Sequence, residues 1–343
     1  MNTNLYKHVS MKFIDSSYEI INQEPGLLGI YKQIEKAART SYKSEDKITE
    51  GSAQKMVDTL IKNKHYACLE HGTVYLKFND WVKQDVARYW YNPYSRCNEV
   101  ATDGKIEYYV TTNPRVIIEN GWQEDLQYIC EPTEFHAKRI TVKFTCSIGV
   151  GREITRHRVF SFMQESTRYC NYSKDRFNNE LTFIIPQWIY DCRDAWAPCT
   201  RWPDEKMDYL KNYTGKQLVR ELTCIDRTVA AYCDILEEIE REYCFDVTDP
   251  DGYKLKPQEA RGILPLDLKS ELVMTGFIDD WKHFFALRSY IAATGKPHPD
   301  IQVLADSLLS DFLELGYITS EEIKYLKGEV HKEQIPTKDN ICS

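Results

Sequence analysis

Residues 152–168 read REITRHRVFSFMQESTR. The segment carries four arginines, no lysine and two acids, Glu153 and Glu165. Arg152 and Arg156 are four apart and share a face wherever the segment is helical. Behind the Arg156-His157-Arg158 triplet come Phe160, Ser161 and Phe162, then Gln164, Ser166 and Arg168. Guanidinium forks, hydroxyls and backbone amides are the donors that a nucleotide phosphate and the edge of a uracil need. A solvated basic helix end or a short basic localisation patch would use the same residues. The triplet by itself leaves that choice open.

Working outward, residues 140–144 alternate, with Ile140, Val142 and Phe144 on one side, and residues 73–78 do the same with Val74, Leu76 and Phe78. Both read as half-buried strands. Residues 52–63 read as a helix with Met56, Val57, Leu60 and Ile61 on one side. The tyrosine-rich stretch from about 79 to 139 holds the turn signals Asn92-Pro93, Asp103-Gly104 and Asn120-Gly121. It reads as an insertion with short strands of its own, such as 106–110. Gly149 and Gly151 precede a short helical run into Arg156. Downstream, prolines mark 198–203 as a loop. A long helix is expected over about 216–243, because Leu218, Leu222, Ile225, Val229, Tyr232, Leu236, Ile239 and Tyr243 form one stripe, a core or subunit-contact face. Another is expected over 300–315, with Ile301, Leu304, Leu308, Phe312 and Leu315 inward. The tail from about 327 is polar. Mixed strands and long helices imply an α+β fold, expected as a single domain over 1–343.

Composition narrows the function. At 343 residues, 42% hydrophobic and 28% charged, the chain is ordinary for a globular protein. It has no apolar stretch long enough to span a bilayer, and residues 1–15 lack a signal-peptide core. A cytoplasmic location without membrane contact is therefore expected. The eleven cysteines are odd in number, contain no C-x-x-C pair and scatter from Cys68 to Cys342. They suit buried reduced thiols better than a disulfide framework or a metal site, and no metal is expected. A net charge of −8 argues against a non-specific nucleic-acid binder. An anionic ligand would need positive charge focused locally.

The segment resembles the flavin-dependent thymidylate synthases, whose hallmark is R-H-R, seven residues, S, one residue, R. Here these are Arg156-His157-Arg158, residues 159–165, Ser166, Thr167 and Arg168. Upstream, HYACLEH at 65–71 is similar to the family's H-x-T-P-F-E-H, with Ala67 and Cys68 in place of threonine and proline. Ser41, in ARTSY, matches a serine near the flavin. Downstream, EARGILP at 259–265 resembles A-R-x-x-L-P. TGFIDDWKHFFALR at 275–288 resembles the segment ending in the catalytic arginine, with Phe277 and Asp279 at positions where members often place asparagine and arginine. The resemblance covers about 38–78 and 140–312.

The resemblance implies a mixed or antiparallel central sheet packed with long helices, and an enzyme that methylates dUMP to dTMP. Methylenetetrahydrofolate supplies the carbon, and FAD reduced by NADPH supplies the hydride. Arg288 is implied as the catalytic residue. It stabilises charge on the uracil ring beside N3 without titrating. Glu153, Arg156, Gln164, Glu165, Ser166, Thr167, Arg168 and Arg261 are implied, with Arg288, to hold dUMP. Ser41, His65, Ala67, Glu70, Arg156, His157, Arg158, Gln164 and His283 are implied to hold FAD, with Val159 also facing it. A homotetramer with shared active sites is implied. Three other readings stay open: a cysteine-dependent thymidylate synthase, for which Pro198-Cys199-Thr200 lacks the P-C-Q context; an arginine-rich nucleic-acid-binding protein; and an inactive member of the same fold.

Overall fold

The computed structural model of the chain describes residues 10–81, 85–102, 104–172, 180–190, 234–243, 247, 255–292 and 295–328. In chain order the elements are β1 (Ser10–Ile14), β2 (Ser17–Ile21), α1 (Gly26–Thr40), α2 (Ser52–Lys62), β3 (Val74–Phe78), β4 (Arg96–Thr102), β5 (Lys105–Thr112), α3 (Pro114–Asn120), β6 (Arg139–Ser147), α4 (Ile148–Ile154), β7 (Ser161–Gln164), β8 (Glu180–Ile184), α5 (234–243), β9 (Lys269–Phe277), α6 (Ile278–Arg288), α7 (Pro299–Glu314) and α8 (Ser320–Leu326). The strands form sheets in the orders β2-β6-β9-β7, β3-β5-β4 and β1-β8. The fold is α+β, as the mixture of periods implies. Contacts group the chain into two compact units, each gathered from three stretches. The first is Met1–Ser17, Thr145–Ile154 and Glu165–Glu271; the second is Tyr18–Phe144, Thr155–Gln164 and Leu272–Ser343.

In the first unit β1 pairs parallel with β8, placing Phe13 opposite Phe183. Phe13, Leu181, Phe183, Ile185, Leu236, Tyr243 and Leu268 form its core. Each such buried side chain contributes roughly 1.5–3 kcal/mol. Leu236, Ile239 and Tyr243 of the expected long stripe lie on α5 and join this core. The rest of that helix and the 198–203 loop lie outside the described residues.

In the second unit α1 buries Ile30, Ile34, Ala37 and Ala38, and α2 buries Ala53, Val57 and Leu60, with Met56 and Ile61 at the margin. β3 alternates as expected, with Val74, Leu76 and Phe78 fully buried. β6 differs from a half-buried strand. Arg139 and Thr141 are buried as well as Ile140, Val142 and Phe144, because β6 lies between β2 and β9. Trp281, Phe284 and Phe285 of α6 pack against Phe144 and Phe312. The Trp281 indole donates to the Ile140 carbonyl (3.3 Å), which satisfies its one polar atom.

Three expectations need correction. Asn120-Gly121 is a helix end, not a loop turn: Asn113 accepts from Val116 N (3.1 Å), Pro114 opens α3, and Gly121 closes it at φ 73. The helical run does not reach Arg156, since α4 ends at Ile154 and contains both Gly149 and Gly151. Leu315 does not point inward and is 52% exposed. It is the residue at which α7 stops: Gly316 takes φ 68, and Tyr317 N and Gly316 N return to the carbonyls of Phe312 (2.8 Å) and Leu313 (3.1 Å).

Candidate functional site

In the first unit the chain leaving β7 turns sharply at Glu165. Its backbone N–H donates to Glu271 O (2.8 Å). Its side chain is fully buried: one oxygen accepts from Lys269 Nζ (2.8 Å) and Glu271 N (3.1 Å), the other from Tyr172 Oη (3.0 Å). Lys269 also reaches Glu271 (3.2 Å). Lys269 and Glu271 are two apart on β9 and share a face, which is why both meet Glu165. This internal network holds the next turn in place. There Ser166 O accepts from Cys170 N (2.9 Å), and Arg168 N donates to Ser166 Oγ (3.3 Å).

Arg168 and Arg261 are exposed on this turn. Arg168 Nε donates to Gln258 Oε1 (2.9 Å), and its guanidinium lies 5.1 Å from the Tyr169 ring centroid. Arg261 Nη1 donates to Thr167 Oγ1 (3.2 Å). Among the described residues neither guanidinium is paired with a carboxylate. Ser166, Thr167, Arg168 and Arg261 thus come together as one donor-rich surface. Glu165 lies beneath it, and Gln258 and Lys269 are structural neighbours that no sequence motif signalled. Glu153 lies half-buried on α4.

In the second unit the R-H-R triplet alternates. Arg156 and Arg158 are exposed, and Val159 is 41% exposed, whereas His157 is 5% exposed. The His157 ring packs edge-on against Phe284 (centroids 5.0 Å), 6.5 Å from His283, and its Nε2 accepts from Arg288 Nε at 2.9 Å. Burial, then Arg288 and His283, lower the His157 pKa from 6.5 to about 4. Arg288 is the last residue of α6. At the other end of that helix Asp279 pairs with Lys282 (3.1 Å) and Asp280 accepts from Phe277 N (3.0 Å). Asp279 and Asp280 lie nine and eight positions before Arg288, about 12–14 Å along the helix axis. Phe277 lies under two guanidiniums, Arg96 at 4.6 Å and Arg139 at 5.5 Å from its centroid.

The HYACLEH segment forms the 3-10 turn Tyr66–His71, which packs on α1, α2 and β7. The turn thus sits beside α1, whose C-cap is Ser41, and beside β7, whose last residue is Gln164. His65 and Ala67 are exposed. Arg139 clamps the turn, donating to the carbonyls of Glu70 (2.9 Å) and Gly72 (3.1 Å). The Glu70 carboxylate pairs with Arg115 of α3, in the stretch expected to be an insertion. His71 is fully buried, with Nδ1 2.8 Å from Thr275 Oγ1, which lies 2.9 Å from Thr141 Oγ1. Burial, then Arg139, lower its pKa to about 3. His283 is exposed on α6.

A family model described as thymidylate synthase complementing protein matches residues 122–315. The chain is 26% identical over 151 residues to the flavin-dependent thymidylate synthase of Mycolicibacterium gilvum, a match covering 44% of this chain and 47% of that one. It is 26% identical over 143 residues to that of Pyrococcus abyssi, covering 42% and 43%. The chain thus spans about half the length of the curated relatives it matches. Among solved structures, a UMP/dUMP methylase PolB from Streptomyces cacaoi bound with 5-Br dUMP aligns with 93% of this chain and 99% of its own, at 17% identity and a TM-score of 0.41.

Proposed function

Starting from the fact that this chain belongs to the thymidylate synthase complementing protein family, we propose that it is a flavin-dependent thymidylate synthase that reductively methylates dUMP to dTMP. The observation that carries this reading is the pair of exposed guanidiniums, Arg168 and Arg261. They bond to the neutral oxygens of Gln258 and Thr167 beside the Ser166 hydroxyl. Arginines left without a carboxylate next to hydroxyl donors are built to receive an anion. The dUMP phosphate is the anion proposed, with Ser166, Thr167, Arg168 and Arg261 as its donors.

FAD suits Arg156 and Arg158, whose exposed guanidiniums fit the anionic linkage of a dinucleotide. Ser41, His65, Ala67, Gln164 and His283 are proposed to line it, with Glu70 contributing mainly through its pair with Arg115. When bound, FAD supplies hydride chemistry that side chains cannot, with NADPH as reductant and methylenetetrahydrofolate as carbon source. The chain binds and orients the substrates. Arg288 donates to the uracil carbonyl beside N3, favouring the electron density on the ring that makes C5 nucleophilic. Glu153 and Gln164 are proposed to bond the nucleotide. A homotetramer is proposed as the working assembly.

Purified protein titrated with FAD should show a bound-flavin spectrum. With dUMP, methylenetetrahydrofolate and NADPH it should form dTMP. The reading fails if FAD produces no spectral change and no dTMP accumulates.

A further inference from the structure

Arg288 is the last residue of α6, where the final carbonyls of a helix lack intrahelical donors. One contact stands out there. Arg288 Nε lies 2.9 Å from His157 Nε2, across 131 residues of sequence. An arginine has five N–H donors and no acceptor. The imidazole must therefore present a lone pair at Nε2, which requires a neutral ring with its proton on Nδ1. The direction of this bond follows from chemistry and needs no choice of tautomer.

The surroundings hold the ring in that state. His157 is buried between two exposed neighbours, Arg156 and Arg158, so the chain's alternation turns it inward. The edge of Phe284 fixes its plane at a centroid distance of 5.0 Å. The titratable groups beside it are Arg288 and His283, both from α6, and burial with these neighbours opposes its protonation. An imidazolium here would have no lone pair for Arg288 and would set two cations against each other.

We infer that His157 is a positioning residue: its unprotonated Nε2 holds the Nε–H of Arg288 and thereby sets the plane in which that guanidinium meets the pyrimidine. The inference rests on the thymidylate synthase reading for its consequence, though the bond itself does not. A guanidinium serves a ring carbonyl well only when its N–H lies near the plane of that carbonyl, so fixing one N–H of the fork fixes the usefulness of the others. The middle residue of R-H-R then acts on the reaction through Arg288, while its two neighbours face outward.

The test has a ligand-free arm and a kinetic arm. In protein labelled with 15N-histidine, the His157 resonances, identified by their loss in His157→Gln, should show a protonated Nδ1 and a bare Nε2. The ring should stay neutral as the pH falls well below 6.5. A proton on Nε2, or an imidazolium near neutral pH, would overturn the inference whatever the protein catalyses. In the kinetic arm, His157→Leu should lower kcat about 10- to 100-fold, the weight of one hydrogen bond to a charged group. FAD content and dUMP affinity should change much less. His157→Gln, whose Oε1 can accept from Arg288, should recover most of kcat, and it serves alone if the leucine variant does not fold. In an Arg288→Lys background His157→Leu should cost little more, because the two act as one unit. A loss of FAD binding with kcat retained, or full additivity with Arg288→Lys, would return His157 to a flavin-contact role. Wild-type protein that makes no dTMP would defeat the proposed function while leaving the resonance result to decide the bond.

Discussion

Arg168 is exposed and, among the described residues, its side chain is tied to Gln258 and the Tyr169 ring, so its removal should touch ligand binding and leave the fold intact. Arg168→Ala is expected to weaken dUMP binding by about 2–3 kcal/mol, the scale of a charge-assisted contact. Calorimetry with dUMP and with deoxyuridine separates phosphate recognition from the rest. Equal losses for both ligands would remove Arg168 from the phosphate site. Lys269 has the opposite character. It is the cation shared by Glu165 and Glu271, whose side chains are 0% and 11% exposed. Lys269→Met strands two carboxylates and should destabilise the protein by about 3–5 kcal/mol. Urea unfolding reads this directly, and a loss below about 1 kcal/mol, the scale of a surface pair, would mean the network contributes little. His71 makes stability depend on pH. Its folded pKa is depressed from 6.5 to about 3, so between those values the unfolded chain binds a proton that the folded chain refuses. Its contribution is complete above pH 6.5 and is lost as the pH falls toward about 3. His136 and His157 are shifted the same way, so the readout is a difference. His71→Gln should show a shallower fall in urea midpoint over that window than the wild type.

At the scale of elements, caps decide where the helices stop. The pattern over 300–315 gives the inward positions of α7 correctly through Phe312 but continues one step too far, since a hydrophobic period carries no stop signal of its own. Gly316 supplies the stop. With φ 68 it occupies a backbone region that a β-carbon disfavours, and Gly316→Ala should cost about 1 kcal/mol, seen as a lower melting temperature. An unchanged melting temperature would show that the reversal relaxes without the glycine. The same logic explains α3. Asn-Pro before it and Asn-Gly after it are helix-start and helix-end signals, yet in a tyrosine-rich insertion they read equally well as loop turns. β3 was legible because one face is covered and the other is partly open. β6 was legible only in part, because an interior strand buries both faces and hides its period.

For the whole molecule, the consequence of the two units is that neither is a continuous piece of chain. Each draws on three stretches, with boundaries at Ser17, Phe144, Ile154, Gln164 and Glu271. No single cut releases either one. A fragment covering residues 18–144 would keep α1, α2 and the β3-β5-β4 sheet but lose β7, β9, α6 and α7. The buried faces of Phe144 and Thr141 would then stand open. Such a fragment should lack a cooperative thermal transition by circular dichroism, and a sharp transition would show that this part folds alone.

The sequence by itself determined the family, through five specified positions at fixed spacing in residues 156–168, and the kind of the clearly periodic elements α2, β3 and α7, through periods of two and of three to four. It also determined which residue types are available to hold an anion. Only the tertiary structure decided which way those residues face. The triplet at 156–158 lies in a turn between α4 and β7, where no regular period assigns an inward side. That His157 turns in toward Arg288, 131 residues away, follows from the packing of α6. Glu165 stands inside the motif, and its bond to Lys269, 104 residues on, is one that no local pattern expresses. Glu70 acquired Arg115 from the stretch expected to be an insertion. Spacing along the chain is local information, whereas partners separated by scores of residues are chosen by which surfaces the core brings into contact.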